Sequence, residues 1–113
     1  MVVDLLHHIR VGAGVDELDA IVAAGVLGWV QLCDAPAISP HRGDLLHEAR
    51  HCRLLPGHGE LPLRTLLERV PAGVVLSVEV QSDPMLAVAP AQRAQQLHDA
   101  SRLVIASGMS APQ

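Results

Sequence analysis

Three short apolar runs, Val2 to Leu6, Trp29 to Cys33 and Val74 to Val80, alternate with helical patterns, and this alternation restricts the fold more than any other feature of the chain. Each run is rich in β-branched residues or leucine and is bounded by Gly, Pro or Asp, as strands are. After the first run, Asp16 to Ala24 reads as a short amphipathic helix. Asp16 is placed to cap it, Leu18, Ile21 and Val22 form its apolar stripe, and Gly25 is suited to end it in the left-handed conformation. After the second run come a Pro-rich loop, a short helix from Asp44 to His51 and a Pro56-Gly57-His58-Gly59 turn. A helix near Pro62 to Arg69 follows, with Leu63, Leu66, Leu67 and Val70 as its buried stripe. A last helix starts at Pro90 and carries Ala94, Leu97, Ala100, Val104 and Ile105 at helical spacing. Residues 107–113 are expected to fray.

Strand, helix, strand, helix, strand, helix is the order of parallel strands joined by right-handed crossovers, so the expected class is α/β with a parallel βαβαβα segment. Alternation along the strands puts Val3, Leu5, Val30, Leu32, Leu76, Val78 and Val80 on one face, ready for helices to cover. Asp4, Gln31, Ser77 and Glu79 fall on the other. In an open doubly wound sheet helices cover both faces, and charges there are costly. In a barrel that side is the interior, where groups near the C-terminal mouth reach a site. The pattern therefore points to barrel strands. At 113 residues the chain is less than half of the ~250 of a closed (β/α)8 barrel, which makes it one domain or part of one. Phe and Tyr are absent and Trp29 stands alone, so Leu, Val, Ile and Ala must build the core.

All eight basic residues are arginines and the net charge is -4, which provides no positive field for a phosphate backbone; nucleic acid is not an expected partner. No apolar run approaches the ~20 residues of a membrane span, and no basic region with a cleavage site opens the chain. The expectation is a cytoplasmic protein without a membrane partner, with Cys33 and Cys52 reduced.

Asp4 and Glu79 sit late on their strands, where parallel α/β proteins place ligands, and His7 lies one short step past Asp4. Oxygen ligands plus imidazole suit Mn, Mg, Co or Zn in a site with positions left open for substrate. The plainer alternative is that Asp4 caps a turn, His7 is an exposed loop residue and Glu79 marks a strand end. His47 and His51, four apart on a helix with Cys52 adjacent, have the spacing of two imidazoles sharing a metal. No fourth ligand is spaced to complete that set, and a solvated helix face is the preferred reading.

The segments DLLHHIRVGAGVDELDAI, WVQLCDAPA, RLLPGHGELPL and LSVEV, in this order and spacing, resemble the C-terminal part of the sugar phosphate isomerase/epimerase family of xylose-isomerase-like TIM barrels. The resemblance covers nearly the whole chain and implies strands six to eight of such a barrel. It implies a metal ligand at Asp4, a substrate-binding histidine at His7 and, at Arg53, an arginine that binds substrate oxygens ahead of the Pro56, Gly57 and Gly59 turn. Gln31 stands where the family often presents a metal-binding histidine; an amide oxygen is a weaker ligand. Glu79 matches a glutamate that both binds metal and acts as the catalytic acid/base.

The implied reaction is metal-assisted proton transfer next to a carbonyl of a keto-sugar or sugar phosphate, with a divalent metal (Mn, Mg, Co or Zn) acidifying the adjacent carbon. Such chemistry uses a second glutamate from an earlier strand, which this chain lacks. Residues 1–113 are thus expected to form a single partial barrel, inactive in isolation, because three βα units cannot close eight strands and leave edges unpaired. The alternative is a non-catalytic βα scaffold that serves as an interaction module, or a partial barrel completed by another chain or a further copy.

Overall fold

The computed structural model describes residues 1–41 and 43–108. In chain order the elements are β1 (Val2–Asp4), α1 (Leu5–Arg10), α2 (Val15–Ala23), β2 (Trp29–Leu32), α3 (Leu45–His51), α4 (Leu63–Leu67), β3 (Val75–Val78), a 3-10 turn (Pro84–Ala87) and α5 (Pro90–Gly108). The strands form one open parallel sheet in the order β1-β2-β3. Its register aligns Val2, Trp29 and Val75, then Val3, Val30 and Leu76, then Asp4, Gln31 and Ser77. The α/β class and parallel sense expected from the alternation are therefore present.

The strands are shorter than the apolar runs that encode them. β1 stops at Asp4 because the Asp4 side chain accepts the N–H groups of Leu6 at 3.0 Å and His7 at 3.3 Å, which satisfies the free donors of a helix start and turns the chain into α1. Leu5 accordingly belongs to α1 and not to the strand, although it is fully buried all the same. α2 begins one residue before the expected Asp16, with Gly14 at its N-terminal boundary, where Glu17 Oε2 accepts the Gly14 N–H at 2.8 Å. Gly25 takes the left-handed conformation just past it, with φ of 71°. Asp44 caps α3 by accepting the His47 N–H at 3.0 Å. Of the segment expected to fray, Ser107 and Gly108 belong to α5, and the remainder lies outside the described residues.

The helices pack on one side of the sheet. Val3, Val30 and Leu32 on that side are buried with Leu5, Leu6, Leu18, Leu66 and Leu67. Each such side chain contributes roughly 1.5–3 kcal/mol through removal from water. On the opposite side the aligned row Val2, Trp29 and Val75 stays 38%, 44% and 63% exposed. The sheet is thus covered on one face and open on the other, as a segment cut from a barrel wall would be. Among the described residues, no helix is long and apolar enough to cross a membrane.

Asp34, just past β2 and fully buried, organises the turn that follows α3. Its Oδ1 accepts the N–H groups of Ala35 at 2.9 Å and Leu61 at 3.0 Å, and its Oδ2 accepts that of Gly57 at 2.9 Å. The turn closes so tightly on Asp34 that a Cβ at Gly59 would lie 2.5 Å from the Ala35 carbonyl oxygen and 2.6 Å from Asp34 Oδ1. Gly59→Ala is therefore expected to lower the unfolding free energy by at least about 2 kcal/mol in urea titrations, because backbone atoms cannot rotate away from the added methyl. A loss below about 0.5 kcal/mol would contradict this packing.

Candidate functional site

The strand ends converge on Arg53. Buried at 5% exposure, its guanidinium donates from Nη1 to Asp4 Oδ2 at 2.8 Å and to the Glu79 carbonyl at 3.4 Å, and from Nε to the Ala49 carbonyl of α3 at 2.6 Å. Cys33 Sγ lies 3.6 Å from the same Nη1. One side chain thus touches the ends of all three strands. Burial works against the Arg53 charge, but the hydrogen bond and charge of Asp4 outweigh it, with Cys33 adding to them, and hold the guanidinium above its ordinary pKa. Burial pushes the Cys33 thiol up to about 11, opposed by the Arg53 charge, so Cys33 is neutral and inert at ordinary pH.

A second buried pair braces the region from outside. Arg10, the last residue of α1, holds Glu48 of α3 through two bonds, Nε to Oε1 at 2.7 Å and Nη2 to Oε2 at 3.0 Å. The same guanidinium donates to the Pro36 and Ala37 carbonyls at 2.7 and 3.1 Å, which fastens the loop after β2. Both partners are buried, and the two-pronged geometry is what makes a buried pair favourable.

Asp4, Gln31 and Ser77 stand in one row across the sheet, and Glu79 follows two positions after Ser77, so alternation sets all four on the open face. The Glu79 N–H donates to the Leu32 carbonyl at 2.9 Å, which extends the β2–β3 ladder, and its carboxylate accepts from Gln81 Nε2 at 3.3 Å. Ser77 Oγ is buried without a hydrogen-bond partner among the described residues. His7 is exposed on α1, beside Asp4, where both line a shallow depression of about 200 Å³ along the β1 edge.

The structure brings the expected site residues to one end of the sheet, but in roles the residue types alone do not reveal. Arg53 faces Asp4 and not solvent. Asp4 has one oxygen on the α1 N–H groups and the other on Arg53. Among the described residues, Asp4, His7 and Glu79 do not gather as a set of neighbouring ligand atoms; the His/Cys/Asp/Glu cluster that does is His41, His47 and Cys52, whose ligand atoms all lie within 4.8 Å of one another. His51, expected beside His47, instead pairs with Asp83 through Nδ1 at 3.0 Å. His41 lies outside the α3 pattern, six residues before His47 in the preceding loop, so helical spacing gave no signal for it.

No protein-family model matches the chain, and no curated protein does so either. Among solved structures, the chain is similar to the IolI protein, a TIM barrel crystallised with a binding zinc atom, with a TM-score of 0.76 at 17% identity. The likeness covers 98% of this chain and 39% of the IolI chain, so the present chain spans well under half of that barrel. At this identity the shared property is the fold: a βα segment with the architecture of part of a TIM barrel wall.

Proposed function

We propose that the open strand-end face is part of an isomerase/epimerase-type site that moves a proton next to a carbonyl of a keto-sugar or sugar phosphate. What supports this reading is the polar row Asp4, Gln31 and Ser77, with Glu79 beyond it, at the C-terminal ends of parallel strands, where TIM barrels place their chemistry. Glu79 is the carboxylate we assign to take a proton from the carbon beside the carbonyl and to return it on the same side to the former carbonyl carbon, while the neighbouring hydroxyl proton passes to the carbonyl oxygen. Inversion at a single carbon needs a second acid on the opposite face, which another barrel segment would supply. Charge that builds on the carbonyl oxygen needs donors aimed at it. The half-buried Gln31 amide is the donor the polar row offers there, with the Ser77 hydroxyl buried beside it. The Asp4–Arg53 pair forms the fixed floor beneath them, and His7 borders the site from the β1 edge. The setting that fits such a substrate is cytoplasmic.

IolI holds a zinc atom, and an assisting divalent metal is part of the chemistry that the family resemblance implies. The strand-end residues of this chain do not by themselves fit one. Both Asp4 oxygens are engaged, and a guanidinium 2.8 Å from Asp4 Oδ2 repels a second cation. Glu79 and Gln31 are then the remaining oxygen donors of the set.

A second reading rests on the apolar half of the same face. Val2, Trp29 and Val75 form an exposed row, and β1 and β3 each have one strand neighbour among the described residues. That surface suits a complementary βα partner or another copy of this chain, which would supply the remaining pocket walls.

One experiment reads both. Backbone amide shifts of the labelled chain are followed during titration with keto-sugars, sugar phosphates and cyclic polyols, and during dilution without ligand. Saturable shifts centred on Gln31, Ser77 and Glu79, lost in Glu79→Ala, are the expected result. Shifts that depend only on protein concentration and centre on Val2, Trp29 and Val75 favour the second reading. Ligand-induced shifts confined to other surfaces, or none with any compound, contradict the first.

A further inference from the structure

We infer that His41, His47 and Cys52 form a zinc site separate from the strand-end face, one that clips the loop after β2 to α3. Their ligand atoms all lie within 4.8 Å of one another. Zinc takes imidazole nitrogen at about 2.0–2.1 Å and thiolate sulfur at about 2.3 Å, so a tetrahedral ion sets two nitrogens and one sulfur roughly 3.3–3.6 Å apart. Rotation of exposed His47 and half-buried His41 by about an ångström at the ring closes that difference. Two imidazoles and one thiolate are donors for zinc and not for a hard cation such as Mg or Ca, which takes oxygen. Three protein ligands leave the fourth position to water or to a small anionic or thiol ligand.

The backbone holds all three ligands in place before any ion arrives. Asp44 fixes two of them: its N–H donates to the His41 carbonyl at 2.7 Å, while its carboxylate accepts the His47 N–H at 3.0 Å. Cys52 ends α3, with its N–H on the Glu48 carbonyl at 3.0 Å, and pairs with Ser82 in an antiparallel bridge. The rings are already gathered. His47 meets His41 edge-on at 5.1 Å between centroids and lies beside His51 at 5.0 Å. His51 is itself turned by its 3.0 Å contact with Asp83 and flanks the site without joining the ligand set. The zinc would therefore tie residues 41 to 52, across the loop that Arg10 also fastens through Pro36 and Ala37.

The test uses the full chain, reduced and metal-free, with zinc calorimetry, Co(II) spectroscopy and thermal unfolding. The expected result is one ion per chain, a sulfur-to-cobalt charge-transfer band with tetrahedral visible bands, and a zinc-dependent rise in Tm. Cys52→Ser should abolish the charge-transfer band. His41→Gln and His47→Gln should each weaken zinc binding by more than about 100-fold, beyond the effect of an outer contact. Glu79→Ala should leave zinc binding unchanged, which separates this site from any metal at the strand ends. Metal-free circular dichroism of each variant must match the parent, and His41→Gln, which lies outside every helix, provides the variant least able to disturb folding. Cobalt binding without a thiolate band, zinc affinity unaltered by Cys52→Ser and His41→Gln, or one ion bound between two chains would overturn the inference.

Discussion

The fold depends on one buried cation. Arg53 lies where β1, β2 and β3 end, and its guanidinium meets the Asp4 carboxylate, the Glu79 carbonyl, the Ala49 carbonyl and the Cys33 sulfur. An unpaired charge in that position would be costly to bury, and Asp4 is the group that compensates it. Because Asp4 also accepts the first N–H groups of α1, the same carboxylate decides where the first strand stops. Local chain direction and long-range strand closure are thus coupled through a single side chain.

That coupling shapes what the strand-end face offers chemically. The residues on its polar row are held at fixed register by the parallel ladder, so Gln31, Ser77 and Glu79 form a rigid patch and not a loop-borne one. Asp4, tied beneath that patch, is electrostatically satisfied and gives rigidity where a free carboxylate would give a ligand. The apolar row Val2, Trp29 and Val75 continues the face toward the other end of the strands, so polar and apolar parts of one surface are presented together. A TIM barrel of which this chain matches 39% encloses the corresponding surface in its interior.

Much of this was legible in the residues. The β-branched runs located all three strands, the 3.6-residue stripes located α2, α4 and α5, and Pro90 opens α5 as its fixed φ suits. α1 was hidden because Leu5 and Leu6 continue the apolar run of β1, and the side-chain cap that breaks it is a three-dimensional contact of Asp4. The two-sided character of the strands was readable from Asp4, Gln31, Ser77 and Glu79 against Val3, Val30 and Leu76. The pairing of Arg53 with Asp4 was not, since the two are 49 positions apart and no periodicity links them. For the same reason His41 could not be joined to His47 and Cys52 from spacing, and Asp34 did not announce itself as the anchor of the Pro56–Leu61 turn.

A double-mutant cycle between Asp4 and Arg53, read by urea unfolding with Asp4→Asn, Arg53→Met and the pair, measures how strongly the buried pair holds the strand ends together. Asn retains the capping oxygen of Asp4, so the cycle isolates the ion pair from the α1 cap. Each single change is expected to cost about 3–5 kcal/mol, with the double variant well short of their sum, because each single change leaves a buried partner uncompensated. Single losses below about 1 kcal/mol that simply add would be the behaviour of a surface pair, and would contradict the role assigned to Arg53.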